Sequence, residues 1–538
     1  MNLKFASPLA IAVALSTGIP ALHAETPSDT FVIVREISSI AEWDPAVSQI
    51  LDVALINGDV YDSLVGFDPR NPDTLGGMLA ESWSVSEDGM TITFKMREGV
   101  TFHSGNPVTS ADPLFSFRRL MLIGREPSSN MRALGYSAEN IDDYLSAPDP
   151  QTFVMKLPNK LAPTMVINML TSSAFSVVDS ELVKSHEVDG DFGAKWLSGR
   201  ADGEASAGSG PFMIDTFRPQ SLVMLSANED YWRFKPAMKR VIYRHVPEAG
   251  TQRLLIEKGD ADLAFNITAT DAAAMAGAEG VKVEYRPSKK ILYFGFNRMI
   301  EPFDDPRVVK AMRYLVDYEG LSNSIMKDIG TVHQTFVPAG FLGAVTETPF
   351  SLAVEKAKAL LAEAGYPDGF EFTFTAYNRK PEMDLATSFQ ATAAQAGVKV
   401  DVVNAPVSQT IPLYRDQKLQ ALQLSYTAGY LDPNATASKF TFNPGAMPGA
   451  DREAKWPSEM TYRLGWYPED LSEKTAAAAQ ELDETKRTKM YEELQKAAWE
   501  DSPFVFLFQA TQQLAMRDNV EGVFYDTRGS SFASVTKK

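Results

Sequence analysis

The chain has 538 residues, 44% hydrophobic and 22% charged, which is the composition of a folded protein with too much apolar surface for one core. At roughly 150 residues per domain the length suggests about two to four domains. Zero cysteines exclude disulfides, Cys-ligated zinc, iron–sulfur clusters, thiol nucleophiles and cysteine lipidation. A formal net charge of −18 repels phosphate backbones and anionic lipid, so nucleic acid and the membrane surface are poor partners.

Residues 1–24 read as a cleaved secretory signal peptide. Lys4 precedes an apolar run over 5–15, and small residues end in Ala24 before Glu25. Pro8, Gly18 and Pro20 interrupt the segment, which falls short of the ~20 apolar residues that span a bilayer. The expectation is an exported, periplasmic protein with no direct membrane insertion.

In chain order, 31–37 is β-like, and Asp44-Pro45 opens a stretch with helical spacing at Val47, Ile50, Leu51, Ala54 and Leu55. Glu87-Asp88-Gly89 reads as the turn of a hairpin joining 83–85 to 91–96. Thr109 with Asp112 predicts a capping box for a helix through Phe115 and Leu120, with Pro113 in its first turn. A Gly/Ala/Ser loop over 203–210 leads into a strand at 211–217. Strand 241–246, helix 250–258 and strand 262–265 follow, an order that builds mixed sheets. Strand 291–297, helices 306–316 and 353–364, strand 371–377, helix 384–395 and strand 399–403 repeat that style. The apolar run 504–516 has about twice the ordinary strand length, enough to cross between two α/β lobes. Residues 445–467 read as an irregular surface excursion.

Several of these segments carry a resemblance. Leu79-Ala80-Glu81-Ser82-Trp83, the hairpin after it, and Arg97-Glu98-Gly99-Val100-Thr101-Phe102-His103-Ser104-Gly105 resemble the signature of family 5 extracellular solute-binding proteins, the dipeptide- and oligopeptide-binding components of ABC importers. Gly208-Ser209-Gly210-Pro211-Phe212, Asn228-Glu229-Asp230-Tyr231-Trp232-Arg233, Lys258-Gly259-Asp260-Ala261-Asp262, Pro302-Phe303-Asp304-Asp305-Pro306-Arg307 and 360–369 follow in family order. The resemblance implies a large α/β, two-lobed periplasmic binding protein fold with a ligand cleft between the lobes. Residues 25–285 with 512–538 would form the first lobe and 286–511 the second, with the chain crossing near Arg286 and returning near Thr511. The implied function is capture of peptides or peptide-like solutes and delivery to an ABC permease in the inner membrane, by a monomer.

Beyond the leader the histidines are His103, His186, His245 and His333, far apart in sequence and without a metal-binding spacing, so no metal or cofactor is expected. There is no nucleophile elbow, phosphate loop or dinucleotide fingerprint, and no catalytic residue is expected. The resemblance points to three ligand-binding places. Glu36, Ile37 and Ser38 would offer main-chain groups to an extended peptide, or form a plain strand end. Asn378 and Arg379 would bind a carboxylate, the alternative being a solvated loop charge. Tyr426, Ala428, Gly429, Tyr430 and Asp432 would line the rest. Relatives carry an acid for the peptide's amino terminus where Gly429 stands, and Asp432 either supplies charge or forms an Asp-Pro turn. That glycine keeps open an oligosaccharide or sugar–amino-acid conjugate stacked on the tyrosines; a secreted hydrolase is the reading from another class.

Overall fold

The computed structural model describes residues 26–48, 50–199, 206–265, 267–451, 453–526 and 529–538. The segment 1–24, expected to be a signal peptide, and the start of the 203–210 loop lie outside them. The fold is mixed α/β with two lobes joined by one sheet. Its order begins in the second lobe with Lys399–Ala405, Glu371–Tyr377, Ala421–Thr427, Val281–Phe296 and Phe504–Arg517. It continues into the first lobe with Leu263–Ala264, Thr30–Arg35, Arg240–His245, Leu222–Ala227 and Phe212–Arg218. Gly330–Val332 pairs with Phe504–Arg517 off that path.

Two long strands carry the chain between lobes. Val281–Phe296 has 16 residues and Phe504–Arg517 has 14. They pair antiparallel from Val281↔Arg517 to Pro287↔Thr511 and, after a register shift, from Ile291↔Gln509 to Gly295↔Phe504. The strand expected at 291–297 is only the second half of the first of these. Pro287 and the polar run Ser288-Lys289-Lys290 break the alternation that sequence reading relies on. The proline lies where the register shifts, a position at which a strand tolerates a missing N–H.

The apolar clusters divide along the same line. Three draw on residues between Phe31 and Val281 and between Leu514 and Val535; two draw on residues between Ile291 and Phe508. In the first lobe the expected hairpin forms, with Trp83 opposite Phe94 and Val85 opposite Ile92. Half of the expected capping box forms at the start of helix Ala111–Ile123: Asp112 accepts from the Thr109 N–H at 2.7 Å, but the Asp112 N–H turns to the Thr109 carbonyl, and the Thr109 hydroxyl accepts from Ala111 instead. The helix expected from Asp44 starts later, at Leu51–Val60. Asp44 is wholly buried and commits its carboxylate to Arg119 and to the Ala46 N–H, which holds 44–47 as a turn.

The Gly208-Ser209-Gly210 segment is a close-packing device. A Cβ on Gly208 would sit 2.0 Å from the Val60 carbonyl oxygen, a distance no side chain can accept. Ser209, Tyr231 and Trp232 all donate to the buried Asp62, so two separate signature segments converge on one carboxylate. His103 hydrogen-bonds Ser206 and the Gly210 carbonyl in the same region.

The stretch 445–467 is a surface excursion in its middle, where the described residues of 448–459 are exposed or half-buried, but not at its ends. Leu464 and Trp466 are buried in the second-lobe core, and Asn443 Nδ2 donates to the Trp466 carbonyl at 2.8 Å. Its irregular backbone lacks a period, which is why the sequence alone did not reveal that its ends are buried.

His333, buried beside the same lobe's sheet, bonds the Val337 carbonyl through Nε2 at 2.7 Å, and burial pushes its pKa down to about 4. The unfolded chain takes up a proton below about 6.5 while the folded imidazole stays neutral, so this residue's contribution is present above that pH and is lost as pH falls toward 4. At ~1.4 kcal/mol per pKa unit the loss is about 3 kcal/mol. Burial raises Asp59 to about 7, which acts in the opposite direction over much of the same range. Urea unfolding from pH 4 to 7 of wild type and His333→Gln isolates the histidine: the stability difference between them should shift against wild type as pH falls. A flat difference overturns the assignment.

Candidate functional site

In parallel α/β sheets ligands gather at the carboxyl ends of strands. Strand Thr30–Arg35 ends there in the first lobe, parallel to Arg240–His245. Ile37 is buried and donates its N–H to His245 Nδ1 at 3.1 Å; the Ser38 N–H donates to Glu36 Oε1 at 2.6 Å. The Ser38 side chain, with this backbone bond adding to it, holds the Glu36 carboxyl below its ordinary range. The carbonyls of Arg35 and Ile37 accept from Val246 and Ile40. These bonds engage the Ile37 and Ser38 N–H groups and the Ile37 carbonyl, so a ligand strand using those groups would have to displace them.

In the second lobe, strand Glu371–Tyr377 ends at the exposed pair Asn378 and Arg379, just ahead of helix Glu382–Ala394. Arg379 keeps half of its side chain in solvent, but Nε and Nη2 both donate to Glu382 Oε1, at 3.1 and 2.9 Å. Its guanidinium lies 5.2 Å from the Tyr377 ring centroid. Glu382 is almost wholly buried, and its other carboxylate oxygen has no hydrogen-bond partner. Lys290, opposite Thr427 on the long strand, joins this group. Burial pushes its ammonium pKa down; Glu382 opposes that shift and Arg379 adds to it. Lys290 thus senses both charges, while Arg379 is the cation bonded to Glu382.

The third segment divides by role. Tyr426 donates its O–H to the Ala435 carbonyl at 3.1 Å and meets the Phe440 ring edge-on, and burial raises the phenol to about 12. Buried Ala428 donates to the Lys289 carbonyl at 3.1 Å, tying this loop to the strand that bears Lys290. Gly429 is exposed, with no atom within 4 Å of where a Cβ would stand. Tyr430 is half-buried and packs against cores of both lobes. Asp432 is fully committed: Arg487 donates to its two oxygens at 2.7 and 2.8 Å, with both side chains 1% exposed, and the Asn434 N–H donates to Oδ1. The turn-forming reading of Asp432 is the one its geometry matches.

Sequence reasoning missed Lys290, Glu382 and Arg487. Glu382 had a signal, standing three residues after Arg379 at a helix start. The Lys289-Lys290 doublet beside an apolar strand was another. Arg487 lies 55 residues from Asp432, and nothing local links them. A cavity of ≈ 540 Å³ framed by Arg70, Arg97, Trp232 and Arg233 is lined by first-lobe residues alone and stands apart from this group. Among the described residues no three His, Asp or Glu side chains are grouped to hold a metal ion.

Two lobes on two crossing strands, with a charged group on the second-lobe wall beside them, define the class of bilobal binding proteins. Residues 74–448 match the model of bacterial extracellular solute-binding proteins, family 5, and the chain belongs to that family. It is 26% identical over 526 residues to the probable D,D-dipeptide-binding periplasmic protein DdpA of Escherichia coli K12, covering 96% of each chain. It is 24% identical over 516 residues to the glutathione-binding protein GsiB of the same organism, covering 95% of each. The fold matches HbpA2 from Haemophilus parasuis with a TM-score of 0.80 at 24% identity, covering 95% of this chain and 100% of that one. Among the described residues no helix is long and apolar enough to cross a membrane.

Proposed function

We propose that this protein is a periplasmic receptor of an ABC importer that captures peptides or peptide-like solutes bearing a free carboxylate and passes them unchanged to an inner-membrane permease. One observation carries the carboxylate: a buried Glu382 holds Arg379, which keeps half of its side chain in solvent. A buried acid is costly unless paired, so holding a half-exposed arginine with one argues for positioning over a free surface charge. The names of two relatives, a D,D-dipeptide-binding and a glutathione-binding protein, support the peptide class. Residues 25–285 with 512–538 form one closing body and 286–511 the other. Export ends with cleavage after Ala24.

The test is native mass spectrometry of protein purified from periplasm, followed by titration with glutathione and with a D,D-dipeptide. The expected polypeptide begins at Glu25, and the expected adduct is an anionic peptide released with its mass unchanged. A neutral sugar as the adduct refutes the carboxylate reading. Sustained turnover of either probe that survives repurification refutes the receptor reading in favour of a hydrolase.

A further inference from the structure

Apart from the shared sheet and Tyr430, which packs against cores of both lobes, the lobes meet at a further place. Gly89, in the turn of the first-lobe hairpin, is buried under Leu482 of the second lobe; a Cβ there would stand 3.0 Å from Leu482 Cδ2. Three residues before Leu482, the Ala479 carbonyl accepts from the Ala162 N–H of the first lobe at 2.8 Å. Both contacts lie at the end of helix Glu469–Gln480 and the start of the loop after it.

Arg487 holds that end in place. Its Nε donates to the Ala478 carbonyl at 3.2 Å, one residue before the carbonyl that reaches the first lobe. Its two terminal nitrogens grip Asp432, which closes the 426–432 loop. One buried guanidinium thus joins the cleft loop to the interlobe contact, and a shift of either must strain or break its bonds.

We propose that Arg487 couples the 426–432 loop to an interlobe latch made by Ala162 with Ala479 and by Gly89 with Leu482, so that residues touching no ligand set binding strength. The ligand's side of this rests on the receptor function proposed above. A ligand shifts the open–closed balance only by its preference for one state, and a latch adds a fixed bias to the closed one.

The absence of cysteine allows a direct test. Spin labels at Glu98→Cys and Glu473→Cys, both exposed positions on opposite lobes, report the interlobe distance in protein unfolded in urea, dialysed free of its co-purified ligand and refolded. Wild type should show a short-distance population. Leu482→Ala should reduce it by about threefold or more, and so should Ala162→Pro, whose φ of −59° already suits proline while the N–H is lost. Asp432→Asn, a change within the second lobe, should reduce it too; Arg487→Lys, which keeps the charge and loses the fork, replaces it if that variant melts early. Latch variants with the wild-type distribution overturn the latch. Latch variants that shift while the Asp432 and Arg487 variants do not overturn the coupling. No ligand is added, so either failure leaves the receptor reading standing on its own test.

Discussion

Arg379→Ala should weaken binding of the co-purified peptide by roughly 2–5 kcal/mol, the cost of leaving a buried carboxylate without its partner. At ~1.4 kcal/mol per decade that is at least about tenfold in Kd. The loss has two sources. The ligand carboxylate forfeits a forked donor, and it then faces the charge of a Glu382 that Arg379 no longer neutralises. Glu382→Gln separates them, because it leaves the guanidinium in place while loosening its orientation; its effect on affinity should have the same sign and be smaller. Calorimetric titration of the three proteins measures this, after matched melting curves show that none is unfolded. Agreement between wild type and Arg379→Ala within about twofold, under ~0.5 kcal/mol, makes the arginine a solvated loop charge and favours a neutral ligand held by Tyr430 and the main chain.

Arg487→Met should destabilise the protein by roughly 3–5 kcal/mol, because it strands the Asp432 carboxylate in a site with 1% exposure. Removing both charges, with Arg487→Met and Asp432→Leu together, should recover part of that loss, since an apolar pair of similar volume avoids the desolvation that the ions endure. Urea unfolding of the two single variants and the double variant closes the cycle. Additive losses would mean that the pair carries no interaction energy and that the 2.7 Å contact is not what holds the loop.

The elements with a strong local period were legible without coordinates. The 83–96 hairpin could be read because Glu87-Asp88-Gly89 separates two alternating runs, and Gly89 does take a positive φ of 75° in the turn. Strand Glu371–Tyr377 was legible to the residue for the same reason. The helix placed at Asp44 was misjudged because a buried carboxylate paired with Arg119, 75 residues away, overrides the apolar spacing. The family and its two-lobed plan were carried by short segments whose order, more than any single one, is distinctive.

The sequence by itself determined the class of the protein, the absence of thiol chemistry, the acidic surface and the position of Arg379 at a strand end. Only the tertiary structure decided what surrounds those residues. Which groups pair inside a protein depends on distance and burial, which unrelated stretches of chain set together: Asp432 with Arg487 as an ion pair, and the Ala162 N–H with the Ala479 carbonyl across the lobes. Local sequence encodes period and turn chemistry, whereas these partners are chosen by the packing of sheet and helices, so they became visible only when the chain was folded.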